Sequence, residues 1–263
     1  MVAPTRREFG GLIRTGRRLA RTGRAQLGRE RSPVETPRAA VLGVGRVAGQ
    51  RTATLLDAEP AAVLVSLGFA GGLDPKLRPG DLVVASSYRN QHGATAGDHG
   101  TAARTAAVLG DRGIAVSTGA VLTVDEPLLT PGSKQQARDG SGGLVVDMEG
   151  FWVAIAAEVR GVPHIGLHCV LDDAGFTLPA FVAALAADPP RWQWTHALRA
   201  LRSLGGARDV AVLALRARTA ARVLKESAGI VLGAVSGGTG GVGAANVAPG
   251  SPAPSAVPAP EAR

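Results

Sequence analysis

Hydrophobic and polar positions along this chain fall into two alternating patterns. Predominantly apolar runs occupy residues 39–44, 62–67, 81–85, 114–124, 145–146 and 165–171, and short runs bounded by Gly, Pro and Asp predict buried strands. Between them helices are expected at 52–56 and 128–139, and apolar residues stand at helical spacing through Val153, Ile155, Ala156 and Val159, where Gly161 ends the helix. Residues 86–113 are polar and read as a solvated loop. Beyond residue 178 the pattern is helical at 178–185, 192–204 and 210–224, with Asp188, Pro189 and Pro190 breaking the first two apart and Arg and Lys on the outer face of the last. Strands alternating with helices predict an α/β domain.

Composition divides the chain of 263 residues into a basic segment at 1–37 with a short helix, one α/β domain at 38–230, and a Gly/Pro/Ala-rich tail at 231–263 that cannot bury enough apolar surface to fold. Aromatic residues make up 3%, so the core must be packed from small aliphatics, and Trp192 and Trp194 read as packing residues. With one cysteine no intrachain disulfide can form, which suits a reducing cytoplasm; Cys169, inside an apolar run, reads as an inert buried thiol. No apolar run is long enough to span a membrane.

The net charge of +8 is concentrated near the amino end, in Arg6, Arg7, Arg14, Arg17, Arg18, Arg21, Arg24, Arg29 and Arg31. The string TRREF is not the start of an export signal, because RTGRRLAR interrupts what would be its apolar region. The basic surface suits plain solvation or peripheral contact with an anionic membrane. No aromatics are interleaved with the arginines to stack bases, so no nucleic-acid partner is expected. His92, Asp98 and His99 lie in the polar stretch without a Cys or Glu beside them, and neither a metal nor a cofactor is expected.

Chemistry concentrates in residues 143–179. The strand at 145–146 ends on Asp147 and Glu149, a helix follows, and the next strand ends on Asp172 and Asp173. Carboxylates at the carboxyl ends of successive strands suit a ligand site in an α/β sheet, and equally suit turns and helix caps. Gly68, Ala70, Gly71 and Gly72 form a glycine-rich turn that lets backbone approach a ligand. The GVGRVAG stretch after the first strand suits tight strand-to-helix packing; a dinucleotide turn, with Asp57 or Glu59 as its ribose acid, is the alternative.

Three separated blocks between residues 43 and 185 resemble the nucleoside phosphorylase/nucleosidase superfamily. They are the turn of Gly43, Gly45, Arg46 and Val47, the block AGGLDPKLRPGDLVV, and the Met148-Glu149 pair followed, after the strand led by Pro163, by Asp172. The resemblance implies a single-domain three-layer α/β/α sandwich around a mixed central sheet. It implies a purine nucleoside as the small-molecule partner, cleaved at its N-glycosidic bond without a cofactor by a homodimer or larger homo-oligomer. Asp172 would act as the acid on the departing base and Glu149 would hold the ribose hydroxyls. Met148 would pack on the sugar and Ala70 and Gly71 would line the base pocket, with Asp147 and Phe69 beside them. Glu8 stands where the family places its catalytic base, but the strand expected ahead of it is missing, with seven residues available.

Two departures bear on the nucleophile. Phe69 stands where the family often has a hydroxyl, and His168 where it usually has an arginine. Both weaken an anion site, so water is favoured over phosphate. Adenosine-type nucleosides, methylthioadenosine and S-adenosylhomocysteine among them, are the implied substrates. The ending DDAGFTLP is similar to the hopanoid-associated branch, which acts on an adenosyl-linked lipid. A phosphorylase, or a degenerate nucleoside-binding member without catalysis, is the alternative.

Overall fold

The computed structural model describes residues 2–3, 37–90, 95–179, 182 and 204–236. Among them the elements are β1 (Val2–Ala3), β2 (Ala40–Val41), α1 (Arg46–Ala58), β3 (Leu64–Gly72), β4 (Leu82–Asn90), β5 (Thr95–Ala96), α2 (His99–Gly110), β6 (Val116–Thr123), α3 (Pro131–Ser141), β7 (Val145–Asp147), α4 (Gly150–Glu158), β8 (His164–Asp172) and α5 (Leu204–Ser236). The tail from residue 237, Glu8, His92, both tryptophans at 192 and 194, and nearly all of the two helices expected at 178–185 and 192–204 lie outside the described residues.

The sheet is mixed, as expected, and its pairing closes on itself. β3 runs parallel to β8 and β8 antiparallel to β4. β4 and β6 are parallel, as are β6 and β7, and β7 returns antiparallel to β3. Helices cover both faces. On one, Leu67 of β3, Leu167 and Cys169 of β8, Ala102 and Leu109 of α2, and Leu224, Ala228 and Val231 of α5 form one buried cluster. On the other, α1 and α4 pack together over β3, with Ala48, Leu56, Val153 and Ala157 buried between them. Gly49 is what allows that approach: a β-carbon there would lie 2.8 Å from both the Cβ and the carbonyl oxygen of Trp152. The glycines of GVGRVAG thus serve a positive-φ turn and helix packing, while Asp57 pairs with Arg160 and Glu59 with Arg38 at the surface.

Four sequence expectations are corrected. The first strand is present, because Val2 and Ala3 suffice to fill a slot between β2 and β3, Val2 pairing with both Ala40 and Ser66. The stretch at 86–113 is ordered secondary structure: β4 runs on to Asn90, and Asp98 caps α2 by accepting hydrogen bonds from the amides of Gly100 and Thr101. Its buried face is Thr101, Ala102, Thr105 and Leu109, too small and polar to register as a hydrophobic stripe. The glycine-rich turn is strand: Gly68 to Gly72 all belong to β3. Finally, α5 runs past the expected helix end at residue 224 and past residue 231, where the unfolded tail was expected to begin, to reach Ser236, because Val231 continues the face on which Leu224 and Ala228 are buried.

Candidate functional site

Strand alternation decides which side chains meet. Ser66 and Gly68 on β3 and His168 on β8 project toward the face covered by α1 and α4. With Gly43, Asp147 and Glu149 they line a shallow cleft open to solvent, floored by Leu42, Ala48 and Val153. The mix of an apolar floor with a few converging polar groups is typical of small-ligand sites.

Asp147 is fixed twice over. Its Oδ1 accepts from the Thr123 hydroxyl at 2.6 Å, and its Oδ2 from the Gly150 amide at 2.9 Å. The Phe151 amide donates to Thr123 Oγ1, so Asp147 and Thr123 together satisfy the open amino end of α4. Burial pushes the Asp147 carboxyl above the ordinary carboxylate range, and nearby His168 opposes that shift. Glu149 is the residue from which α4 starts, and it reaches the cleft.

The cleft continues into a buried polar network that sequence reading missed. Tyr88, the chain's single tyrosine, is 2% exposed and its hydroxyl lies 2.8 Å from His168 Nε2. Two glycines make room for it. A β-carbon at Gly166 would fall 1.7 Å from the phenolic oxygen, and one at Gly150 would fall 2.3 Å from the ring. The Tyr88 ring stacks on His164, whose Nε2 lies 2.7 Å from Ser66 Oγ. A lone tyrosine in so aromatic-poor a chain was the available signal.

Burial, with the neighbouring His168 adding to it, pushes the His164 imidazole down to about 3. Its neutral form is therefore the one the fold holds. The stability this contributes is complete above the unfolded value near 6.5, and is lost as pH falls from there toward 3, at about 1.4 kcal/mol per pH unit. Urea titrations at pH 7.5 and pH 5 should show the wild type losing on the order of 2 kcal/mol. His164→Gln should lose markedly less, and an unchanged loss would rule out His164 as its source.

Asp172 sits elsewhere. Pairing of β3 with β8 shifts by one residue between Ala70 and Gly71, so that Ala70 faces Val170 but Gly71 faces Asp172. The bulge at Leu171 turns Asp172 off the cleft-facing side, and it is not among the residues that line the cleft. It is 3% exposed and forms an ion pair with Lys134 of α3, which is completely buried. The Lys134 ammonium donates to Asp172 Oδ2, to the carbonyl of Asp173 at 2.8 Å and to that of Phe176 at 2.9 Å. Its three N–H groups are thereby used up. Burial pushes the Asp172 carboxyl upward, and the Lys134 charge pulls it back. Lys134 is one of only three lysines in a chain otherwise furnished with arginine, and that economy was the sequence signal for it.

The two halves meet at Gly71. It is the register partner of Val146 on β7 and of Asp172 on β8, so the end of β7 that leads to Asp147, Met148 and Glu149 and the end of β8 lie one strand to either side, roughly 10 Å apart. A β-carbon at Gly71 would stand 3.5 and 3.6 Å from the Asp172 oxygens, so the missing side chain leaves that carboxylate facing bare backbone. Met148 packs beside Leu73, Leu122, Val124 and Val146. Ala70 is buried in the cluster beneath α4, while Phe69 packs on the opposite face, toward α2 and α5. Cys169 is buried, and its thiol is pushed up to about 12 by burial, the unreactive state expected of it. Among the described residues no cluster of three or more His, Cys, Asp or Glu is arranged to hold a metal, and no helix is long and apolar enough to cross a membrane.

A search of curated proteins by sequence finds no match. Among solved structures, the chain is similar to the 5′-methylthioadenosine/S-adenosylhomocysteine nucleosidase of Helicobacter pylori bound to butyl-thio-DADMe-Immucillin-A, at 16% identity and a TM-score of 0.60 over 86% of this chain and 95% of that one. The corresponding nucleosidase of Neisseria meningitidis, bound to methylthio-immucillin-A, matches at 15% identity and a TM-score of 0.60 over 88% and 96%. Futalosine hydrolase of Helicobacter pylori matches at 18% identity and 0.58 over 86% and 95%. These likenesses establish the fold. The phosphorylase-superfamily profile matches residues 12–190, well over half of the sequence, and the chain belongs to the phosphorylase superfamily.

Proposed function

We propose that this protein hydrolyses the N-glycosidic bond of an adenosine-type purine nucleoside. The observation that carries the reading is the placement of Gly71 between the ends of β7 and β8, which brings the Glu149 cleft and the Asp172–Lys134 pair to either side of one glycine. Cleavage of such a bond builds positive charge on the ribose and negative charge on the base. Glu149 accepts hydrogen bonds from the ribose hydroxyls in the cleft, with Asp147 beside it, and holds the sugar near its oxocarbenium geometry. Asp172 supplies the proton or hydrogen bond that lets the base leave, and it reaches the base across the bare backbone of Ala70 and Gly71. Met148 packs against the sugar, and Glu8 serves the nucleophile if the amino-terminal segment reaches the site.

Water is the nucleophile in this reading. Phosphorolysis calls for an anion site of arginines and a hydroxyl, whereas the cleft presents His168, held by Tyr88, and Phe69 is turned to the opposite face of the sheet. The finer assignment is to methylthioadenosine, S-adenosylhomocysteine or an adenosyl-linked lipid, handled by a cytoplasmic homo-oligomer in peripheral contact with anionic membrane. The test is a panel of these nucleosides incubated with and without phosphate. Release of free base in phosphate-free buffer is the expected result. Dependence on phosphate would establish a phosphorylase instead, and no release from any nucleoside would reduce the chain to a binding module.

A further inference from the structure

Resting on the nucleosidase reading above, we infer that Lys134 is a positioning residue for the departure of the base: its ammonium, anchored beside Asp172, balances the carboxylate that Asp172 becomes when it gives its proton away. Lys134 is wholly buried at the end of the first turn of α3, where the helix dipole opposes a cation. Stability alone does not call for it there, since an apolar pair of similar volume commonly holds a fold as well as a buried ion pair does. Its place is nevertheless tightly defined. Thr130 and Ser133 close a capping box around Pro131, which fixes the direction in which α3 starts. From there the ammonium spends one N–H on Asp172 Oδ2 and the other two on the carbonyls of Asp173 and Phe176. With its three donors so used, Lys134 acts on a ligand only through Asp172.

The charge count at this buried spot decides the chemistry. With Asp172 protonated the pair carries one positive charge; once the proton has gone to the base, carboxylate and ammonium neutralise each other. Without Lys134 the same step would run from a neutral site to a bare buried carboxylate, the costlier end state. Burial therefore keeps the proton on Asp172, and Lys134 lets it leave. Two other charges face the carboxyl. Arg216 of α5, which lies 3.8 Å from Asp173 Oδ2 and over the Phe176 ring, works with Lys134, while Asp173 works against it. The Arg216 side chain is 23% exposed, so solvent screens its charge more than that of Lys134. Lys134 holds Oδ2, which leaves Oδ1 to meet the base across the bare backbone of Gly71.

The step balances among the pair, the nucleoside and water. The bond from the ribose anomeric carbon to the base nitrogen breaks, its electrons go to the base, and the Asp172 proton follows them. Water adds to the anomeric carbon and releases a proton to solvent, from which Asp172 is reloaded. Lys134 gives up no proton at any stage.

The pH profile of kcat/KM separates this role from a structural one. Base release needs the protonated carboxyl, so kcat/KM falls as pH rises through the value at which Asp172 ionises in the free enzyme. Removing the ammonium raises that value, and in Lys134→Gln the fall should come about 1–3 pH units higher than in wild type, the range for loss of an adjacent opposite charge. The plateau below the fall should be lower, because a weaker acid serves the leaving base. With p-nitrophenyl riboside, whose phenolate leaves unprotonated, Lys134→Gln and wild type should agree to within about threefold. Lys134→Arg keeps the charge and should keep the fall at the wild-type pH, and it carries the test should Lys134→Gln not fold. A folded Lys134→Gln whose fall comes at the wild-type pH, a Lys134→Arg whose fall moves upward, or an equal loss on both substrates would overturn the assignment while leaving the nucleosidase reading in place. A wild type that releases no base from any nucleoside would sink both.

Discussion

Asp172→Asn is expected to lower the release of free base from a purine nucleoside by about 10²- to 10⁴-fold, the range for loss of a proton-transfer group. The variant should still fold, because the Lys134 ammonium retains the carbonyls of Asp173 and Phe176, and the new side-chain amide offers an oxygen in place of Oδ2. The readout that isolates the role is the leaving group. A riboside of p-nitrophenol departs without protonation, so Asp172→Asn should cleave it at close to the wild-type rate. An equal loss on both substrates would mean that Asp172 shapes the site and does not serve the departing base.

Lys134→Met should produce the largest change in stability. Removing one member of a buried ion pair costs about 3–5 kcal/mol, because the remaining charge is left without compensation. The sign of the pH dependence follows from the carboxyl that remains. Burial raises Asp172 and Lys134 is the main influence pulling it back, so without the lysine it stands higher still. A carboxyl raised in the fold stabilises fully below its unfolded value and loses that contribution as pH rises through the folded one. The deficit of the variant relative to wild type should therefore be larger at pH 8 than at pH 5, by urea titration at both. Replacing both residues, Lys134→Met with Asp172→Leu, should recover most of the loss. A double variant as unstable as Lys134→Met alone would show that the three bonds of the ammonium, and not the uncompensated carboxylate, dominate.

Much of the frame was legible in the residues. Val145, Val146 and the run at 165–171 announced two buried strands, and Gly161 the end of the helix between them, because predominantly apolar runs and a positive-φ stop are local signals. The helix at 99–110 was not legible, since its buried face is built from threonine and alanine and its cap, Asp98, lay in a polar stretch. The glycines of β3 read as a turn for the opposite reason: their strand conformation is imposed by pairing with β7 and β8, a tertiary effect with no local trace.

The site divides the same way. Asp147 and Glu149 were readable from their place at a strand end, and both line the cleft. Tyr88, Lys134 and the two histidines of β8 gain their meaning from neighbours 38 to 98 residues away in sequence, which no spacing rule reports. The bulge at Leu171 was equally hidden. It is the reason that Asp172, for all its position at a strand terminus, turns to Lys134 and leaves the cleft wall to His168.

The account depends on Glu149 and Asp172 meeting the same nucleoside, and a crystal structure with a non-hydrolysable adenosine-type analogue examines that directly. It should place the ribose hydroxyls on Glu149 and the base over Gly71, within hydrogen-bonding distance of the Asp172 carboxylate. A ribose in the cleft with its base pointing away from Gly71, and Asp172 still enclosed by Lys134, would contradict it.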